Sequence, residues 1–540
     1  MVGAVKQTDH ALIHSQLSLI SREASLPVRR SAATHSRASA SETRIGGIKM
    51  KDEESKQPQN NDISEGRPFN RREFLKIAGV AGAALGAGAG LGGLVAACGG
   101  GTTTTTTTAG PTTTAGQTTT TAAGSTTTVS AVQAGREIKI GFVTPLTGGL
   151  ASFGIPDSYC VDRAKAAIGD GIVCGDGQKH PISFTVSDSQ SDSNRAAQVT
   201  GDLINNTKVD MILAASTPDT CVPVSDQSEA NGVPCLTTDC PWESYVGTRS
   251  SGDLTATFKW TYHVFWGGED QEAVFSDMWS QVTNNKTVAA MFPNDADGNA
   301  LRPLYEAAWK TEGLTEIDGG AFQDGTEDFT TQIAKFKKAG SEIGMGIFIP
   351  PDFTTFWKQA IQQSWLPKLA TYAKCLLFPQ SVEALGTIAN NLTSEVWWSP
   401  NHPFTSSLLN QSCADFAADY QTTKSQEWTQ PLLHFLVFEW AVDVLKRATS
   451  VDDKNAIMTA VKGTKLDTIA GPIDFTAAVE PNGPPYKIGP CHIVENVYKS
   501  PLVGCQWRKA TKYPFDLTIV SNKAGSMIAV QDKVAPYTGS

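Results

Sequence analysis

An α/β fold built on parallel sheets is predicted by three features of this sequence. From Glu137 onward, short runs rich in β-branched residues alternate with helical patterns of about 15 residues, the texture of βαβ units. Forty per cent of the 540 residues are apolar, which is enough for real cores. The residues before Glu137 lack the alternation, so the domain count of about three that roughly 100–200 residues per domain would suggest must be reduced for segments that never fold. Eighteen per cent of residues are charged and the net charge is −10, which argues against a phosphate-binding surface and makes nucleic acid an unexpected partner.

The opening residues are an address. Residues 1–49 are polar and aperiodic, a disordered extension, and Met50 opens a signal of ordinary length and is an alternative start. Within residues 50–97, Asn70-Arg71-Arg72-Glu73-Phe74-Leu75-Lys76 precedes a run from Ile77 to Ala97 of mostly Ala, Gly, Leu and Val, the order of a twin-arginine export signal. The run is about as long as the roughly 20 residues a bilayer demands, but its glycines lower hydrophobicity and helix propensity, as suits a transient signal. It ends in Leu94-Val95-Ala96-Ala97-Cys98-Gly99, which resembles a bacterial lipobox: small residues admit the peptidase and the Cys98 thiol takes diacylglycerol. Two acyl chains there make a stable anchor. Gly88, Gly90 and Gly93 match a GxGxxG spacing, but no strand precedes them and no nucleotide site follows. Residues 98–135, mostly Thr, Ala and Gly, cannot bury enough surface to offset ordering and read as a flexible linker.

The strands come next. Ile138-Lys139-Ile140-Gly141-Phe142-Val143 is the first, Pro181 to Val186 the second, Val209 to Ala214 the third and Val233 to Thr237 the fourth. Further on, Thr287 to Asp295 and Gly344 to Pro350 carry strands, and Pro431 to Ala448 is apolar nearly all round, the mark of a buried helix.

Several landmarks along these elements carry a family resemblance. Gly141-Phe142-Val143-Thr144-Pro145-Leu146-Thr147-Gly148 with Phe153-Gly154, Ser187 to Asp192, Ala214-Ala215-Ser216-Thr217 and Ala230-Asn231-Gly232-Val233-Pro234 occur in order. Together with Thr287 to Asp295, Asp328 to Lys338 and Gly471-Pro472-Ile473-Asp474-Phe475, they resemble the leucine/isoleucine/valine-binding protein family of type I periplasmic binding proteins. The resemblance implies two Rossmann-like lobes with parallel sheets around a hinged central cleft. Lobe 1 is expected from residues 136–261 and 399–504, lobe 2 from 262–398 and 505–540, with crossings near Tyr262, Ser399 and Cys505. It further implies an exported receptor that captures a small organic ligand and delivers it to an ABC transporter permease. Such a receptor is expected to be a monomer, held by Cys98 on the outer face of the cytoplasmic membrane, with no cofactor and no metal.

In that family, hydroxyls and backbone N–H groups at strand ends of the first lobe grip the ligand's carboxylate. Ser216, Thr217, Thr237 and Thr238 are the matching positions; taken alone, Ser and Thr after a strand would simply cap the next helix. Phe153 stands where the family has an aromatic wall, and Trp242, just past the fourth strand, is a second candidate. In the second lobe Lys374 falls where amino-acid binders have a carboxylate, and Asp297 where they often have a tyrosine. A lysine there repels an α-ammonium, which points to a carboxylate without an amine, or an amide, as the ligand.

Nine cysteines remain after Cys98. Cys160 with Cys174 and Cys491 with Cys505 are candidate disulfides outside the cytoplasm, the cluster Cys221, Cys235 and Cys240 leaves its pairing open, and an odd count leaves one thiol over. The acidic turn Asp188 to Asn194 lacks the glycine and glutamate of a calcium loop, and helix capping explains it better. An exported enzyme is the rival function, yet the chain has no His-Glu-x-x-His, Gly-x-Ser-x-Gly, Cys-x-x-Cys or P-loop. A sensor of the same fold that signals to a membrane partner is a further alternative.

Overall fold

The computed structural model describes residues 132–481 and 486–539; Arg71, Arg72 and Cys98, with the export, lipidation and linker assignments made on them, lie outside the described residues. The first strands and helices alternate: β1 Ile138–Thr144, α1 Asp157–Ile168, β2 Ile182–Asp188, α2 Ser193–Asp202, β3 Met211–Ala215, α3 Thr217–Asn231, β4 Cys235–Thr238, α4 Trp242–Arg249 and β5 Thr261–Val264. These strands pair in parallel in the order β2-β1-β3-β4-β5. Parallel sheets are covered on both faces, which is why all of β3 is buried and β1 nearly so, while the edge strand β2 is only half covered.

The scheme then repeats with α5 Gly268–Ser280, β6 Thr287–Pro293, α6 Ala296–Glu312, β7 Thr315–Phe322, α7 Thr330–Ala339, β8 Ile343–Ile347, α8 Pro350–Gln362, β9 Leu369–Ala373 and β10 Thr393–Val396. Its strands are again parallel, in the order β7-β6-β8-β9-β10. Both sheets thus reverse direction beside their first strand, between β1 and β3 and between β6 and β8. Open α/β sheets bind ligands at such switch points, outside the carboxyl ends of the strands.

Three helices, α9 Cys413–Lys424, α10 Phe435–Arg447 and α11 Lys454–Lys462, follow. Pro431 sits in a 3₁₀ turn, Gln430–His434, that leads into α10. Helix α10 packs on α1 and β4, and its Phe438 ring meets Phe142 and Phe184 edge-on at 5.0 and 5.5 Å. Strands β11 His492–Val494 and β12 Val497–Tyr498 extend the first sheet past β5. Strands β13 Leu502–Lys509 and β14 Phe515–Ala524 form an antiparallel border on the second. Among the described residues no helix is long and apolar enough to cross a membrane.

The result is two lobes, each discontinuous in sequence. Tyr262 pairs with Leu236 inside the first sheet, and Cys505 with Ser394 inside the second. The outer crossings therefore lie at residues 265–267 and 499–501, a few residues from the expected Tyr262 and Cys505, because leaving a ladder midway would orphan backbone groups. At the first crossing a Cβ on Gly267 would stand 2.3 Å from the Trp242 indole nitrogen, which favours glycine there.

The cysteine expectation is corrected. All nine described cysteines are free and buried, so neither Cys160–Cys174 nor Cys491–Cys505 is a disulfide. Cys491 stands beside β11 in the first lobe and Cys505 on β13 in the second, while Cys160 faces the core from α1. The thiols of Cys221 and Cys413 instead donate to the carbonyls of Thr238 and Ile469, at 3.2 and 3.3 Å. In the acidic turn, Asp192 caps α2 by accepting from the Arg195 N–H at 2.7 Å, and Asp188 accepts from the Leu146 N–H at 2.9 Å.

Candidate functional site

Residues at the carboxyl ends of both sheets line a cavity of about 30 Å³. The first lobe supplies Phe153 after β1, Thr217 after β3, Asp239 after β4, and Phe265 and Trp266 from the first crossing. The second supplies Asp297 after β6, Ile347 at the end of β8, Lys374 after β9, Glu395 on β10 and Trp397 just beyond it. The lobes meet over this space: the Phe153 ring stands edge-on to Phe378 of the second lobe at 4.9 Å. Phe265 likewise meets Trp397 at 5.5 Å, and both line the cavity.

The backbone at the first-lobe rim is held in an uncommon conformation. Ser216 and Thr217 have φ of 79° and 59°, Asp239 of 62°, and across the cleft Lys374 of 68°. Left-handed backbone at non-glycine residues is costly and clusters at functional sites. The Thr217 N–H donates to the Asp239 carbonyl at 2.6 Å, which ties β3 and β4 together at the rim. Ser216 occupies the N-cap of α3 but makes no side-chain cap bond, so simple capping does not account for its hydroxyl.

Three wall residues carry a buried polar atom without a partner in the protein: Thr217 Oγ1, Trp266 Nε1 and Asp297 Oδ1. Buried polar groups are normally satisfied, so this set of a hydroxyl, an N–H donor and a carboxylate acceptor is matched to a polar solute. Asp297 Oδ2 accepts from Lys374 Nζ at 2.8 Å, and Asp295 lies 3.5 Å from the same ammonium. Burial pushes Asp297 up to about 6 although Lys374 opposes it. Burial acts downward on Lys374, yet the charges of Asp297 and Asp295 hold it well above the usual lysine value. Glu395 accepts from the Lys374 N–H at 2.8 Å, and burial raises it to about 7.

Behind the first-lobe wall lies a charged chain that the sequence reading missed. His434 stands between Asp157 on α1, at 2.7 Å, and Asp239 at the cavity, at 2.9 Å, and its imidazole is fully buried. Burial alone would lower its pKa, but the two carboxylates raise it to about 9. The ring is therefore an imidazolium that donates from both nitrogens. Burial raises Asp239 as well, against the hydrogen bond from His434. The sequence signals were an acid directly after Thr237-Thr238 at a strand end, and a lone histidine in an otherwise apolar run.

Of the residues expected at the site, Phe153, Thr217, Asp297 and Lys374 come together in the wall, with Ser216 one residue before it. Thr237, Thr238 and Trp242, also expected at the site, do not line the cavity. Thr238 donates its hydroxyl to the Val264 carbonyl at 2.7 Å. His263 Nε2 lies 2.7 Å from the Cys240 carbonyl and so carries the proton, which leaves Nδ1 to accept from Thr237 Oγ1 at 2.8 Å. Both hydroxyls are thus spent between neighbouring strands. The Trp242 indole donates to Glu269 at 3.3 Å, beneath the first crossing. A wider groove of about 1310 Å³ runs between α4, α5 and α6, but none of its described wall residues holds an unpartnered buried polar atom.

The family description "periplasmic binding protein" matches residues 137–488. Leu/Ile/Val-binding protein homolog 3 of Brucella melitensis is 29% identical over 212 residues, covering 38% of this chain and 53% of that one. A Leu/Ile/Val-binding protein of Rhizobium johnstonii is 25% identical over 206 residues, covering 37% and 52%. The chain thus spans about half the length of the curated relatives it matches. Among solved structures, a leucine-binding protein of Thermotoga maritima has a similar fold, with a TM-score of 0.58 at 16% identity over 71% of this chain and 99% of that one. A branched-chain amino acid transporter substrate-binding protein of Streptococcus pneumoniae, in complex with isoleucine, gives 0.56 at 17% identity over 71% and 99%. An ABC transporter solute-binding protein of Rhodopseudomonas palustris, in complex with 4-hydroxybenzoate, gives 0.57 at 16% identity over 71% and 96%.

Proposed function

Because this chain belongs to the periplasmic binding protein family, we propose that it is the extracytoplasmic solute receptor of an ABC transporter. It closes two lobes on a small organic ligand and hands it to a membrane permease. The observation that carries the reading is that three residues lining one cavity between the lobes, Thr217, Trp266 and Asp297, each hold a buried polar atom without a partner. A cavity of about 30 Å³ holds little more than water-sized groups, so a solute enters by parting the lobes, with the closed form re-made around it. Anchoring through Cys98 after twin-arginine export, with Arg71 and Arg72 as the export pair, places the receptor on the outer face of the cytoplasmic membrane.

Binding rather than catalysis suits the wall. The Lys374–Asp297 ion pair and the His434 chain hold their charges in place, and the wall offers aromatic surface and hydrogen-bonding groups with no nucleophile poised beside a base. Isoleucine and 4-hydroxybenzoate, bound by proteins of similar fold, set the starting panel of amino acids, carboxylates and amides. In a thermal-stability screen of the purified chain, a ligand raises the midpoint by mass action, and Thr217→Ala abolishes most of the shift. Turnover of any panel compound would refute the receptor reading in favour of an enzyme.

A further inference from the structure

The electrostatics of the cavity narrow the ligand class beyond that reading. Asp239, Asp297 and Glu395 stand in the wall, with Asp157 and Asp295 one contact behind. Against these five carboxyl groups stand two cations, Lys374 and His434, and both are already engaged by the acids beside them. Lys374 is the one cationic side chain among the described wall residues, and Asp297 pairs it through a single oxygen, leaving Oδ1 buried and without a partner. At the first-lobe rim, beside Thr217, the wall includes an acid, Asp239, one of whose carboxylate oxygens pairs with His434 behind it. Like charges brought together in a poorly solvated cavity repel strongly. The remaining wall includes four aromatic residues, Phe153, Phe265, Trp266 and Trp397, and ring faces attract cations.

Resting on the receptor reading, we propose that the solute is an organic cation: it presents an ammonium or amidinium nitrogen to Asp239 and Asp297 and carries no carboxylate at the first-lobe end. Burial raises Asp297 to about 6 and Glu395 to about 7, and a cation bound beside them would favour the ionised form of each. Trp266 Nε1 and Thr217 Oγ1 then serve the uncharged polar part of the same molecule.

The test is calorimetric titration of the purified chain with shape-matched pairs: 2-methylbutylamine against isoleucine, and tyramine against 3-(4-hydroxyphenyl)propionate. The expected result is that an amine binds and that its carboxyl-bearing partner binds at least a hundredfold more weakly. Asp297→Asn, which leaves His434 untouched, weakens the amine at least tenfold, and Asp239→Asn does the same. Lys374→Met, which frees Asp297 for the ligand, tightens it. If a carboxyl-bearing partner binds in preference and Asp239→Asn tightens it, the cation inference is overturned while the receptor reading stands. Silence of every pair, in a chain whose thermal transition shows it folded, counts against both.

Discussion

His434 couples the cavity to pH. Its pKa rises from the ordinary 6.5 to about 9 because, although burial opposes the charge, Asp157 and Asp239 stabilise it. A raised folded-state value means that the stabilisation is complete below about pH 6.5 and is lost as pH climbs through 9. The full effect is roughly 3 kcal/mol. Urea denaturation across pH 6 to 10 should show this decline, and His434→Gln should be less stable at pH 6 and flatter thereafter. Phe153 and Thr217 could be placed from strand-end sequence because each lies on a short segment whose neighbours define it. His434 and Asp239 lie 195 residues apart, and no local pattern shows that they touch. Thr237 and Thr238 stand at the expected strand end, but which groups their hydroxyls bond depends on neighbouring strands that the local sequence does not show.

The junction of β3 and α3 concentrates the rim's strain. Ser216 and Thr217 are consecutive left-handed non-glycine residues, each costing on the order of 1–3 kcal/mol, and such strain persists where the surrounding structure imposes it. Ser216→Gly should accordingly raise stability by about 1 kcal/mol by relaxing φ, read as a higher thermal midpoint without ligand, and should weaken ligand binding through a looser rim. An unchanged midpoint would mean that the strain is absent. The alternation of strands and helices was legible because parallel strands covered on both faces need unbroken apolar runs. The short β11 and β12 were not, since a few residues paired to a distant strand leave no periodic trace.

Across the whole molecule, the lobes are tied where the chain crosses between them. Lys499, fully buried in the last crossing, pairs with Glu269 and, at 2.8 Å, with Asp270, both in the first turn of α5 just after the first crossing. From the first lobe, Glu243 accepts from the Gly268 N–H at 2.9 Å. Removing one partner of a buried ion pair costs about 3–5 kcal/mol. Lys499→Met should therefore lose that much in urea denaturation, a loss that a surface lysine such as Lys462 would not show. By itself the sequence determined the α/β class, the positions of most of the long strands along the chain and the family, because apolar periodicity and strand-end motifs are local and survive without coordinates. Only the tertiary structure decided the strand order, the residues of each crossing, the free cysteines and the membership of the cavity wall. Those depend on which distant segments share a sheet or a charge, and burial and Coulomb energies are set by proximity in space rather than along the chain.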